Sequence, residues 1–589
     1  MAFRQKMQAV TRHLQFLWQS WCEGQFFSYL QTTARYLMKG VRGALFLLRK
    51  EREQVDFIDC LPMKKLRQVT QGLHGLIGKD NAFSYAIFLP WTDPTEKELQ
   101  ISLDAAFSQT APHLQIWVAK PQRCSFQVSS IFASYKYLGL HLFQVDDEWG
   151  IGAQVNAWAA SVDEKFLLVL FPGCWLRTDC LFRIEQSLRF CPPEERADLV
   201  LFFDEAFLSK KGHFIHGKRR RHSTLFPPYF FQDLQLGICV FSRELLLRAG
   251  GAPDVKKNIF FSALLLQLDG AGATCRHIPF PLFGRPEEKE APPGEFLSIL
   301  QQYTSKKKLF WEWSPGILAG TFRANPPLQD NLVVHAIVPF REQKVLTCKT
   351  VESNKRQKGI RPLLTAIDNA SQDLSIRQEI ERLGGEVLLS HEPFNYSRLN
   401  NFGVRESRYR EEADWILFLN NDVELEESAV EEMCRWITQP QIGAVGCHLS
   451  YPNGTLQHGG VHTHSFVVSE YVGWHHREAH LPLESQVQAR TLGVVPAVTA
   501  ACLLVRRSLF LEVGGFDEVW YPIAFSDTHF CQKLQRRGWF IFYTPYARGI
   551  HHESVSRQVS LEDVEGSLWL QHQTHLLNRP KFSSDVLYT

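Results

Sequence analysis

The stretch Asp414–Glu424, DWILFLNNDVE, decides how the chain is read. Trp415 to Leu419 form a short apolar run, the composition of a strand buried on both faces. Asn420, Asn421, Asp422 and Glu424 follow, with only Val423 between them. A buried parallel strand that ends in carboxylates and amides presents them at its carboxyl end, where open α/β sheets bind ligands. A strand running into a polar turn before the next helix would look the same, so the rest of the chain has to decide.

Strand and helix patterns alternate on both sides of this stretch. Upstream, YAIFLP (85–90), LQIWVAK (114–120), HLFQVD (141–146), FLLVLF (166–171) and ADLVLFFD (197–204) read as strands. Helical stretches fit between them, over Thr95–Ser108, Ile151–Ser161 and Asp179–Leu188. RPEEKEAPPGE (285–295) is a Pro- and charge-rich break, after which VVHAIVPFRE (333–342) starts the same alternation again. The halves repeat in detail: PWTD (90–93) answers PFRE (339–342), and SRELLLRAGG (242–251) answers RRSLFLEVGG (506–515). FLLVLF followed by PGCW (172–175) occupies the place of ILFLNNDVE. The expected fold class is α/β, two tandem Rossmann-like domains with mostly parallel sheets plus an N-terminal helical segment. The boundaries expected are a basic helical segment over 1–79, a first domain over 80–285, a linker over 286–330, a second domain over 331–560 and a tail or helix over 561–589.

Bulk properties narrow the function. At 589 residues the chain is too long for one core. A net charge of +2 argues against a general nucleic-acid binder. Thirteen scattered cysteines without a CxxC pair read as thiols of a reducing compartment. With no apolar run long enough to span a bilayer and no secretory leader pattern, a cytoplasmic protein is expected. Residues 1–53 are basic and aromatic, as in LQFLWQSW (14–21), and read either as amphipathic helices on the inner face of the membrane or as helices packed on the body. HTH (462–464), HH (475–476) and His480 fit no standard zinc spacing and read as a mobile loop.

Eight blocks in order across residues 333–557 carry a specific resemblance: IDNAS, FNYSRLNN, LNNDVE, IGAVGCHLSYPNGTLQHGGV, TAACLLVRR, VGGFDE, AFSDTHFCQKLQRRGW and YTPYARGIHHESVSR. Together they resemble the family 2 glycosyltransferases, particularly the rhamnosyltransferase-like branch that builds bacterial surface polysaccharides. The resemblance implies a GT-A fold in both halves, a nucleotide-sugar donor (dTDP- or UDP-linked, with dTDP-L-rhamnose suggested by the branch), a divalent metal and inversion at the anomeric carbon. It implies a growing surface polysaccharide or lipid-linked glycan as acceptor. Asp422 matches the metal carboxylate of the family's DxD motif, with Asn420 at its first position, and His551 matches a further metal ligand, His552 being the alternative by one residue. Mn²⁺ or Mg²⁺ is the ion such a site would take. Asp527 matches the catalytic base; a helix N-cap is its alternative reading, which alone would not explain its place among the other blocks. His529 stands where the family has another aspartate. Pro339, Arg341, Asp368, Asn369, Asn401 and Asn421 fall on the donor side, Asp368 as acceptor for the pyrimidine imide. In the first half Gly173–Cys174–Trp175 replaces the metal motif and KKNIFFSALLLQL (256–268) lacks the base, so a non-catalytic copy is expected. The competing reading is a nucleotide-sugar- or glycan-binding scaffold in a polysaccharide assembly complex.

Overall fold

The computed structural model describes residues 83–552 except 110, 112, 124–125, 190, 209–213, 220–237, 287–292, 319–320, 466–471, 477–479, 481 and 483–487. The segments 1–53 and 561–589 therefore lie outside the described residues.

Two sheets are built on one plan. The first contains β1 (Tyr85–Leu89), β2 (Leu114–Pro121), β3 (Leu140–Val145), β4 (Phe166–Val169), β5 (Trp175–Leu176), β6 (Leu199–Leu208), β7 (Phe214–Arg219), β8 (Val240–Ser242) and β9 (Thr274–Pro286). Its order is β3-β2-β1-β4-β8-β6-β9-β5, with β7 beside β6. A hairpin follows, β10 (Glu312–Pro315) with β11 (Phe322–Asn325). The second sheet contains β12 (Val333–Phe340), β13 (Arg361–Asp368), β14 (Glu386–Leu389), β15 (Trp415–Leu419), β16 (Val423–Leu425) and β17 (Ile442–Ser450). It continues with β18 (Leu456–His458), then, after the separate hairpin β19 (Val461–Ser465) and β20 (Val472–His476), with β21 (Gly493–Val494), β22 (Cys502–Arg506) and β23 (Phe540–His551). Its order, β14-β13-β12-β15-β22-β17-β23-β16, repeats the first sheet position by position. Strand directions repeat as well: β8 and β22 run antiparallel to both neighbours, and β5 and β16 run antiparallel to β9 and β23.

The strands that read as uninterrupted apolar runs are the ones covered on both faces. Every residue of β1, β4 and β15 is buried, as crossover helices on both sides require. One face of the second sheet packs Trp436 against Phe542, rings 4.4 Å apart. The other packs Phe418, Phe510, Phe516 and Phe530 in mutual contact. Such aromatic pairs add to the stabilisation that burial alone provides.

Within the segment expected as a linker, the described residues include a helix and the β10–β11 hairpin. Helix Pro293–Lys306 lays Phe296, Leu300 and Tyr303 against Ile259 and Leu266 of the first domain and Phe322 of the hairpin. Beyond it, Trp311 meets Trp436 edge-on at 5.6 Å, and Arg323 pairs with the buried Glu432 at 2.7 Å. The apolar spacing of this helix was hidden behind its proline- and charge-rich entry. The expected mobile histidine loop also contains regular structure, since β19 and β20 pair with Val461 opposite His476.

Three histidines of the second domain, His335, His448 and His529, have their pKa pushed down to about 4, chiefly by burial. In the unfolded chain each titrates near 6.5. Between those values the unfolded state binds more protons, so their contribution is complete above about pH 6.5 and is lost as pH falls toward 4. Each accounts for roughly 2–3 kcal/mol over that window. Thermal melts from pH 7.5 to 4.5 should show a steep fall in Tm below 6.5, flattened in His448→Gln. An unchanged slope in that variant would show that His448 is not buried neutral.

Candidate active site

The chain leaves β15 at Asn420, whose N–H donates to the Ala501 carbonyl at 3.0 Å, and returns three residues later as β16. β16 pairs with the end of β23 so that Val423 lies opposite His551, Glu424 opposite Ile550 and Leu425 opposite Gly549. This register brings Asp422 Oδ1 to 3.2 Å from His551 Nε2. The His552 N–H donates to the Asp422 carbonyl at 2.9 Å, while its ring turns toward Glu424, 3.6 Å away. Of the two histidines, His551 is therefore the one that faces Asp422.

A carboxylate oxygen and an imidazole nitrogen directed at each other fit a shared divalent cation. His551 Nδ1 is buried without a hydrogen-bond partner, so the main chain does not claim the ring. Among the described residues no group of three or more His, Cys, Asp or Glu side chains comes together. Among the described residues this site offers two ligands, Asp422 and His551, and other oxygens would have to complete a cation's shell. That is the donor set expected of an ion that enters with a diphosphate.

Asp527 is the second residue of helix Ser526–Arg536. The N-cap is Phe525, in the left-handed region at φ 57° and without a side-chain cap, so the capping explanation for Asp527 does not hold. Its Oδ2 accepts from the Ala500 N–H at 3.1 Å and its Oδ1 from the Thr528 N–H at 2.7 Å. With Asn420, Tyr396, Thr499 and Ala500 it lines a cavity of about 340 Å³. Sequence reading passed over Tyr396 as one letter of FNYSRLNN. Its hydroxyl donates to the Ala500 carbonyl at 2.9 Å, so Ala500 is held through both its N–H and its carbonyl. Burial, then the nearby Asp527 and Asp422 carboxylates, push the Tyr396 phenol far above its ordinary range and keep it a donor.

The donor-side residues divide. Pro339 and Asp368 sit at the adjoining ends of β12 and β13, and Arg341 is exposed just beyond. Glu342 and Gln343 follow, both left-handed at φ 57° and 62°, a strained turn of the kind found at ligand-binding strand ends. Asn421 Nδ2 donates to Thr347 Oγ1 at 3.0 Å. Asp368 is not the open acceptor that the resemblance implies. Its side chain is fully buried, Oδ1 accepts from the Ser371 N–H at 2.8 Å, and Oδ2 is paired with Arg377. It holds the turn through left-handed Ala370. Asn369 is likewise buried, donating to the Glu392 carbonyl at 2.8 Å. Asn401 departs further from its expected place. Its amide donates to the Phe516 carbonyl and to Glu518, both at 2.9 Å, and accepts from the Phe516 N–H at 3.0 Å. It clamps the VGGFDE loop, where a Cβ on Gly515 (φ 61°) would come within 2.5 Å of the Asn401 oxygen. His529 lies against Tyr521, rings 4.5 Å apart, as a packed side chain.

Shared register gives the first-domain counterparts. Tyr85 pairs with Phe166 as Val334 pairs with Trp415, and counting on from there sets Phe171 at Asn420 and Gly173 at Asp422. β5 against β9 sets Arg285 at His551, and helix Phe260–Gly270 sets Phe261 at Asp527. Arg285 forms a buried ion pair with Glu205 at 3.1 Å. Phe261 packs edge-on against Phe171 and Phe260 at 5.5 and 5.3 Å. Where the second domain has a polar cleft, the first has an aromatic cluster.

The chain is similar to several known proteins. Residues 415–571 match the family description Glycosyl transferase family group 2. The O-antigen biosynthesis protein RfbC of Myxococcus xanthus is 27% identical over 414 residues, covering 66% of this chain and 31% of that protein. The N-acetylglucosaminyl-diphospho-decaprenol L-rhamnosyltransferase of Mycobacterium tuberculosis is 28% identical over 157 residues, 24% of this chain and 48% of that one. The chain thus spans less than half the length of either relative. Among solved structures, the mannosyltransferase PcManGT of Pyrobaculum calidifontis with GDP-Man and Mn²⁺ aligns with a TM-score of 0.31 and 14% identity, over 50% of this chain and 75% of that one.

Asn401→Ala removes three buried hydrogen bonds and should lower the stability of the second domain by roughly 2–4 kcal/mol in denaturant unfolding. Nucleotide binding, followed by thermal shift, should persist. Unchanged stability with lost nucleotide binding would return Asn401 to the donor pocket.

Proposed function

We propose, for a chain whose residues 415–571 match the glycosyl transferase family group 2 description, that the second domain moves a sugar from a nucleotide-sugar donor to a hydroxyl of a growing surface polysaccharide or lipid-linked glycan, with inversion. The observation that carries this reading is the placement of Asp527 in one cavity with Asn420, the residue that leads into the Asp422–His551 pair. The acceptor oxygen attacks the anomeric carbon as the bond to the diphosphate oxygen breaks, and its proton passes to the Asp527 carboxylate. A divalent cation bound at Asp422 and His551, Mn²⁺ or Mg²⁺, would neutralise charge on the departing nucleoside diphosphate. Asn421 and Arg341 border the donor, and Tyr396 holds Ala500, on which Asp527 leans. The relatives' names, one in O-antigen biosynthesis and one a rhamnosyltransferase, favour a dTDP- or UDP-sugar, dTDP-L-rhamnose first. The reaction would take place in the cytoplasm, with residues 1–53 resting on the inner membrane face. No described helix is long and apolar enough to cross a membrane.

Transfer and donor hydrolysis measured with dTDP-L-rhamnose and UDP-sugars, with Mn²⁺, Mg²⁺ or chelator, test the reading. Asp527→Asn should lose about 10²–10⁴-fold in kcat while still binding nucleotide. Asp422→Ala should lose the metal-dependent part of nucleotide binding as well as turnover. A wild-type chain that binds nucleotide but turns over none of these donors would instead be a nucleotide-sugar- or glycan-binding scaffold.

A further inference from the structure

The first domain lacks the counterparts of Asp422, His551 and Asp527, yet it keeps a cavity of about 430 Å³ at the same end of its sheet, within the size range of small-molecule sites. Its walls carry Trp91 and Asp93 after β1, Glu98 on helix Glu96–Phe107, Trp149 ahead of helix Ile151–Ser161, and Lys257. One buried side chain sets both tryptophan-bearing loops. Gln154, 3% exposed, accepts from the Trp91 N–H at 2.7 Å and donates to the carbonyls of Trp91 and Trp149, each at 3.1 Å. The main chain at both tryptophans is therefore held before a ligand arrives, which removes part of the entropic cost of binding. Trp149 is 39% exposed, an accessible indole beside polar groups.

The charges of the wall select the ligand. Among the described residues of the wall, Asp93 and Glu98 stand against one cation, Lys257, so this lining is net negative. A nucleoside diphosphate would meet repulsion there, and Gly173 and Arg285 offer no carboxylate and imidazole to hold a bridging metal. A neutral polyol meets the opposite situation. Its hydroxyls can donate to Asp93 and to Glu98 Oε1, the Oε2 of Glu98 accepting from the Thr95 N–H and Oγ1, and can accept from the ammonium, while the C–H face of a pyranose ring can lie on an indole.

We propose that this cavity is a binding site for neutral saccharide, with Trp149 and Trp91 as its stacking surfaces and Asp93, Glu98 and Lys257 as its hydroxyl contacts. That the saccharide is the glycan being extended rests on the glycosyl transfer proposed above; the site itself does not.

The test is titration of the full chain, by tryptophan fluorescence and calorimetry, with neutral di- to hexasaccharides of rhamnose, N-acetylglucosamine, glucose, mannose and galactose. At least one should bind saturably. Trp149→Ala should weaken that binding about ten-fold or more at unchanged Tm, the effect of losing one aromatic contact, and Lys257→Ala should weaken it without altering the fluorescence of the unliganded protein. Asp527→Asn should keep the Trp149-dependent binding while losing transfer, which separates failure of this site from failure of the catalytic reading. Absence of saccharide binding, binding indifferent to Trp149→Ala, or Trp149-dependent displacement by UDP or dTDP would overturn the proposal.

Discussion

A three-residue strand sets the geometry of the candidate site in the second domain. β16 lies at the last edge of its sheet, and only its register against β23 brings Asp422 beside His551. A slip of one residue would reverse which side chains face the core, burying Glu424 in place of Val423 and Leu425. The helix beneath prevents this. Ser353 Oγ accepts from the Leu425 N–H at 3.2 Å, and buried Gln357 both donates to the Glu426 carbonyl at 2.8 Å and accepts from the Val430 N–H at 2.9 Å. Side chains from helix Lys344–Lys355 and the turn after it thus take the main-chain groups that a strand this short would leave unsatisfied.

The first domain shows how little the frame dictates the chemistry. Strand order and directions are the same, and the equivalent short strand β5 keeps the buried–partly buried–buried pattern over Cys174, Trp175 and Leu176. At the three positions that matter, a carboxylate becomes a glycine, an imidazole becomes a guanidinium with its own buried counter-ion, and the second carboxylate becomes a phenylalanine in an aromatic cluster. The scaffold supplies places, and the side chains at those places supply the reaction.

Much of this was legible in the residues. Apolar runs ending in polar groups mark the strand ends, and the internal repeat marks two copies of one fold, because buried parallel strands and turns have strong local signatures. What local pattern cannot express is which groups a side chain will be spent on. Asp368 and Asn369 look like exposed strand-end acceptors, yet a turn and an arginine nine residues away take up Asp368, and the Glu392 carbonyl takes up Asn369. Asn401 looks like a donor-side amide, yet its partners lie more than a hundred residues downstream. The antiparallel returns of β16 and β22, and the helix and hairpin between the domains, depend on long-range pairing in the same way. Tyr396 gave no signal, since an aromatic residue opening a helix reads as core.

Removing either Arg285 or Glu205 alone would leave a lone charge in the interior of the first domain, at about 3–5 kcal/mol. Setting an aspartate at Phe261 would strand another among Phe171 and Phe260. At both positions the first domain has committed its interior to groups that suit only each other, an ion pair at Arg285 and an aromatic cluster at Phe261, so a lone imidazole or carboxylate placed there starts from a loss of stability.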